Sequence, residues 1–266
     1  MKMQPRRSRL LAAAATLLLA AGASACELAF TQYSAEQKDQ WERSYALDAT
    51  GEFELRNING SIEVEPSADG KLHVKAERIA KAGSDAAAKD LLGKIEIRED
   101  ASASSVRIET KAPSGGFMSG SVSVNYRVQI PATATVRAVN TNGRVTITGI
   151  KGRVVAETTN GGVEGRALAG PVTASTTNGG VEVSLDAVHA DGVSLETVNG
   201  GVDLTLPSDA KGDLSLTTVN GGIDTGALRV EIVGEKSRRH VEARLNGGGP
   251  RVRVETVNGG VHLSGR

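Results

Sequence analysis

Asn-Gly pairs return along this chain at Asn59, Asn142, Asn160, Asn178, Asn199, Asn220 and Asn258, with nearly equal steps from Asn142 to Asn220. A fixed period of about 20 residues is the mark of a repeat architecture. Around each pair the apolar residues alternate. Six positions before the Asn come Phe53, Val136, Val154, Val172, Val193, Leu214 and Val252, and four before it come Leu55, Ala138, Ala156, Ala174, Leu195, Leu216 and Val254. Three positions after it come Ile62, Val145, Val163, Val181, Val202, Ile223 and Val261. Strict alternation on both sides of a turn predicts two half-buried strands per repeat.

Two folds satisfy that pattern. Asn-Gly between alternating strands is a strong hairpin signal, because both residues tolerate positive φ, and an antiparallel β meander would present the same faces. Identical columns at a nearly fixed period favour an all-β, parallel β-solenoid with coils of about 18–21 residues, since stacked in-register coils require that sameness. In the solenoid the Asn column, and the column of Asn57, Asn140, Thr158, Thr176, Thr197, Thr218 and Thr256 two positions before it, become internal ladders bonding along the axis, about 4.8 Å per coil. With 32 Gly and only 3% aromatics, the core is a thin stack of aliphatic layers.

The N-terminus belongs to export. Lys2, Arg6, Arg7 and Arg9 precede an apolar run from Leu10 to about Ala21, and residues 1–25 read as a secretory signal peptide. The run is too short for the roughly 20 residues of a spanning helix. Cys26, the only cysteine, follows Ala23-Ser24-Ala25. That site reads either as general signal-peptidase cleavage or as a lipobox in which Cys26 carries lipid. By resemblance to bacterial lipoproteins, Glu27, a residue other than Asp behind a lipidated cysteine, fits sorting to an outer membrane where the organism has one. Removal of residues 1–25 leaves 27 basic and 31 acidic residues, a balance that argues against a nucleic-acid partner.

Residues 26–47 read as a tether, with Trp41 docking as a cap as the competing reading. Residues 48–135 read as degenerate coils carrying one short inserted helix at about 84–92, opened by Ser84-Asp85. Residues 136–266 form the regular repeat, except that Val241, Ala243 and Leu245 have the opposite parity before Asn246-Gly247-Gly248-Gly249-Pro250. A chain ending at Arg266 straight after a repeat strand implies that residues 223–250 fold over the end or that two molecules stack end to end.

The Thr-Val-Asn-Gly-Gly units, with Leu245-Asn246-Gly247-Gly248-Gly249-Pro250 before a last Glu255-Thr256-Val257-Asn258-Gly259-Gly260, resemble the bacterial envelope family called putative adhesins, a domain of unknown function. The resemblance covers about residues 48–266. It implies a right-handed parallel β-helix and an adhesive or envelope-stress role, and it brings no catalytic residues.

Candidate sites lie on the outward columns. Glu164, Glu182, Asp203 and Asp224 would stack as a carboxylate stripe in which neighbours repel by roughly 1 to 3 kcal/mol. That repulsion invites weak Ca²⁺ or a basic partner, against the alternative of a solvated charged face. Ile58, Thr159, Thr177, Val198, Val219 and Val257 form a β-branched stripe suited to extended ligands, or simply the second face of the coil. Asn142, Asn160, Asn178, Asn199, Asn220 and Asn258 are structural. His73, His189, His240 and His262 lack metal-ligand spacing, and Lys236, Arg238, Arg239 and His240 read as a solvated basic loop or a contact for anionic envelope polymer. No nucleophile elbow, phosphate loop or zinc motif occurs.

These features predict a non-catalytic, exported, lipid-anchored binding module, requiring no cofactor, with an envelope protein or glycan as partner and an outer-membrane location facing the periplasm or the cell surface. A periplasmic scaffold or stress sensor that binds another protein is the second reading. A polysaccharide-active enzyme using stacked carboxylates is the third.

Overall fold

The computed structural model describes residues 34–113 and 120–266; the expected signal peptide, Cys26 and the first part of the expected tether lie outside the described residues. The chain enters through β1 (Ala35–Tyr45), forms a coil from β2 (Glu52–Asn59) and β3 (Ile62–Pro66), and runs back along β4 (Leu72–Ala82). Helix α1 (Asp85–Gly93) leads to β5 (Glu96–Ala101), and β6 (Ser105–Lys111) with β7 (Ser121–Ile130) makes a second coil. Four coils follow in order: β8 (Thr135–Asn142) with β9 (Val145–Thr148), β10 (Val154–Asn160) with β11 (Val163–Leu168), β12 (Val172–Asn178) with β13 (Val181–Leu185), and β14 (Val193–Asn199) with β15 (Val202–Leu206). Then come β16 (Gly212–Asn220) with β17 (Ile223–Asp224), a hairpin of β18 (Val230–Lys236) and β19 (His240–Leu245), and a last coil of β20 (Arg251–Asn258) and β21 (Val261–Gly265).

In each coil the strand before the Asn-Gly corner joins an eleven-stranded sheet and the strand after it joins a ten-stranded sheet. Neighbouring coils pair in parallel with matching columns in register, Val154 beside Val172 and Asn160 beside Asn178. The structure is therefore a β-solenoid, and the antiparallel meander is set aside. The inward columns of both sheets, from Phe53 to Leu263, form one apolar core. One column has a gap at Gly165. There a bulge in β11 lets Leu168 pair with Leu185 and fill the space, so that a Cβ on Gly165 would lie 2.8 Å from its side chain.

Coil order in space departs from coil order in sequence at both ends. The β6–β7 coil lies outside β2–β3, and β20–β21 is inserted between β14–β15 and β16–β17. The final coil is thus an interior one, covered by residues that precede it. Residues 48–135 correspondingly hold fewer coils than their length suggests: β4 pairs antiparallel with β7, and β5 pairs antiparallel with β6. Length divided by the period overcounts because these excursions turn back on the sheet instead of climbing.

Both ends are closed. Residues 35–45 are strand and not tether, because β1 pairs with β4 along its whole length. Alternate β1 residues cover the core end, with Trp41 and Tyr45 packed against it. Tyr45 donates to the Glu99 carboxylate, and burial together with that hydrogen bond pushes its phenol above the ordinary value. Ser84 caps α1 by accepting from Ala87, and the helix buries Ala88, Leu91 and Leu92. At the other end β19 runs antiparallel to β16, which is why Val241, Ala243 and Leu245 are out of phase yet buried. β18 pairs outside it, and Val230 and Ile232 pack on the core.

Candidate functional site

The corner at each Asn-Gly pair is the most regular surface of the molecule. From Asn142 on, each corner Asn side chain donates from Nδ2 to Oδ1 of the Asn in the adjacent coil: Asn142 to Asn59 at 2.7 Å, Asn160 to Asn142, Asn178 to Asn160, Asn199 to Asn178 and Asn258 to Asn199 at 2.8 Å, and Asn220 to Asn258 at 2.9 Å, while Asn59 donates to the Val122 carbonyl. The ladder runs up the outside, since Asn142 and all the later members are exposed, and this corrects the expectation of an internal column. The turn places the carboxamide at the corner, beyond the last inward-facing residue.

The buried column is the Thr one, and it bonds to backbone. Thr158, Thr176, Thr197, Thr256 and Thr218 each donate to a glycine carbonyl of the adjoining coil, at 3.1, 2.8, 2.9, 2.9 and 2.8 Å. Asn140 takes the same place with Nδ2 2.7 Å from the Gly60 carbonyl, but its Oδ1 is buried without a partner. An unpaired buried acceptor costs about 1–3 kcal/mol. Asn140→Thr should keep the donor, remove the orphan and raise stability by about 1 kcal/mol. Chemical denaturation of the two proteins checks it, and a less stable variant would show that the orphan is harmless.

Beside the Asn ladder runs the β-branched stripe, in the spatial order Ile58, Thr141, Thr159, Thr177, Val198, Val257 and Val219. Coil insertion makes the three valines adjacent. They are among the few exposed large apolar residues, at 41%, 38% and 50% for Val198, Val257 and Val219. Thr141 belongs to the stripe as well, at the same offset before Asn142, a signal that the sequence carries.

The carboxylate stripe is interrupted. Glu164 pairs with Glu182 and Glu182 with Asp203, but the inserted coil places His262 between Asp203 and Asp224. His262 lies 3.3 Å from Asp224. Glu164 is buried between arginines, bonded to Arg166 and 3.4 Å from Arg144. Among the described residues no three His, Cys, Asp or Glu side chains gather where a metal ion could be held. The stripe therefore does not offer the continuous Ca²⁺ row that equal spacing implies.

The outer face of β5, β6, β2 and β8 alternates in sign. Asp100 stands beside Arg107, Arg107 beside Glu54, and Glu54 beside Arg137. Glu54 is buried, and burial opposes its ionisation. Hydrogen bonds from Arg56 and Arg107, both 2.6 Å, prevail and hold its carboxyl below the usual carboxylate value. Sequence reasoning missed this network, although opposite charges at matching offsets in β2, β6 and β8 signal it. The face is self-neutralised and offers no net charge to a ligand.

The remaining candidates are local. His73 bonds Asp69 and Ser44, His189 accepts from the Asp191 amide, and His240 meets Thr217 and Glu242. Arg238 and Arg239 lie in the turn between β18 and β19, whose carbonyls receive the N–H groups of Ile223 and Thr218. With Ser237 they line a shallow groove against Val219, Asn220 and Gly221. No described helix is long and apolar enough to cross a membrane.

With this geometry in hand, comparison with known proteins gives one family. The sequence profile described as Toastrack DUF4097 matches residues 87–264, two thirds of the chain. Among solved structures, the chain is similar to a putative cell adhesion protein from Clostridium sporogenes ATCC 15579, 13% identical over 86% of this chain and 100% of that one, with a TM-score of 0.49. It is also similar to a putative adhesin from Bacteroides fragilis NCTC 9343, 10% identical over 86% and 98%, with a TM-score of 0.33. A putative lipid binding protein from Parabacteroides distasonis ATCC 8503 is 7% identical over 86% and 95%, with a TM-score of 0.22. At these scores the likenesses carry no argument about function. No curated protein matches.

Proposed function

Since the chain belongs to the Toastrack DUF4097 family, a β-solenoid domain of unknown function, we propose that it is a non-catalytic binding module of the bacterial envelope, holding an extended ligand along the Asn-Gly corner. The observation that carries this is the pairing of a rigid, exposed Asn ladder with three adjacent exposed valines. Such a surface gives apolar contact and amide hydrogen bonding at a regular spacing of about 4.8 Å, which suits an adhesin-like hold on an extended glycan or protein ligand. Its rigidity comes from the core and the ladder, so little ordering is left to oppose binding.

The same reading places the chain outside the cytoplasm, by residues 1–25, and at a membrane, by lipid on Cys26. Protease treatment of intact and permeabilised cells, comparing wild type with Cys26→Ser, tests it. Degradation in intact cells supports adhesion at the surface. Protection until permeabilisation supports the periplasmic scaffold, and release of the Cys26→Ser protein from membranes supports the anchor. A full-length, uncleaved chain in the cytosol would end the envelope reading altogether.

A further inference from the structure

Eight Asn-Gly pairs share one chemical vulnerability. The backbone nitrogen of the glycine can attack Cγ of the asparagine, forming a C–N bond as the bond to Nδ2 breaks. The attacking nitrogen gives up its proton, ammonia leaves, and a five-membered succinimide remains. Water then opens that ring to an aspartyl or isoaspartyl residue. The step needs a glycine N–H that is free of other commitments and open to solvent.

The solenoid withholds that N–H at six corners. Gly60, Gly143, Gly161, Gly179, Gly200 and Gly259 each donate their N–H to the Asn carbonyl of the next coil, at 2.8–3.1 Å. Each of these glycines is also partly buried. Gly221 belongs to the outermost coil of the stack, has no such partner among the described residues, and is exposed. The Asn220 carboxamide is also the ladder's last: Nδ2 donates to Asn258, and among the described residues no further coil donates to its Oδ1. The eighth pair, Asn246-Gly247, lies in the turn after β19; Gly247 is likewise exposed with no backbone partner for its N–H among the described residues, but the Asn246 carboxamide nitrogen is held twice, by the Ser208 and Ala210 carbonyls at 3.1 and 2.8 Å, where that of Asn220 is held once.

We propose that Asn220 is a built-in deamidation site, the one corner of the Asn ladder that the stack leaves chemically open. Conversion removes the Nδ2 donor and turns a carboxylate toward the Asn258 Oδ1, so that two acceptors face each other. The end of the ladder then opens, while its interior persists. The module thus carries a slow, irreversible mark at one end of its proposed binding edge.

The chain contains its own controls. Residues 197–201, 218–222 and 256–260 are all Thr-Val-Asn-Gly-Gly, so local sequence cannot separate Asn220 from Asn199 and Asn258. The folded protein is aged in mildly alkaline buffer and each pair is followed by peptide mass spectrometry, with a parallel sample in denaturant. The expected result is loss of Asn220 at least about tenfold faster than Asn199 or Asn258 in the folded protein, equivalent to about 1.4 kcal/mol of barrier, with the three rates converging when unfolded. Equal rates in the folded protein, earlier loss at an interior corner or at Asn246, or an Asn220 preference that survives in denaturant would each overturn the proposal.

Discussion

Gly200→Ala should cost several kcal/mol, on the order of 4 or more, while Gly201→Ala, at the next position, should leave stability within about 0.5 kcal/mol. A Cβ on Gly200 would sit 1.9 Å from the Gly179 carbonyl oxygen and 2.5 Å from its carbon. Those atoms are backbone, held by the Gly179 N–H on one side and by the Thr197 hydroxyl on the other. No side chain can swing away to make room, so the coils would have to part. A Cβ on Gly201 meets only the Gly260 carbonyl oxygen, at 3.4 Å. Denaturant melts of the two variants decide the matter. If Gly200→Ala melts like the wild type, the coils do not approach as closely as the corner geometry requires.

The second large effect is expected from shortening the chain. In a solenoid whose coils follow sequence order, ending at Pro250 would trim one rung. Here it removes β20 and β21 from between β14–β15 and β16–β17, and with them Val252, Val254, Val261 and Leu263, all fully buried. Each such side chain is worth about 1.5–3 kcal/mol of burial, and the total is comparable to the roughly 5–15 kcal/mol stability of a typical domain. The shortened chain should therefore show no cooperative unfolding transition, by circular dichroism, in place of a slightly lower melting point. A cooperative transition within a few degrees of the full-length value would mean that β16 re-pairs directly with β14. By the same geometry, a newly made chain stops building its stack after β15 and completes it only when the last coil arrives, a high-contact-order closure that should be slow.

Sequence made the coil legible and left the order of coils hidden. The columns of Val, Ala and Leu fixed which residues face inward, because alternation is a local property. They could not rank Leu214 against Val252 as the neighbour of Val193, since either fills the same place with similar volume. The opposite parity of Val241, Ala243 and Leu245 was the visible trace of an antiparallel strand. Between 60 and 135 the strands β4 and β5 look like those of coils, and only pairing direction separates them.

The candidate site was legible in the same partial way. Asn and Thr columns were plain, but a buried Thr beside an exposed Asn follows from which residue the corner turns outward. The carboxylate stripe failed on adjacency: Asp203 and Asp224 are one period apart in sequence, yet His262 from the inserted coil stands between them. Adjacency also favoured the valines, bringing Val257 between Val198 and Val219.

Both ends of the stack are specialised, by β1 and α1 at one and by the β18–β19 hairpin at the other, while the two coils that begin at Val136 and Val154 have equal length and their strands before the corner pair in register with each other and with β12. Length is consequently a free variable of this architecture. Duplicating residues 154–171 would add one rung, about 4.8 Å of corner, without altering either end. A domain built this way can be matched to the span of what it holds by counting rungs, as a ruler is cut, with no new surface chemistry to invent.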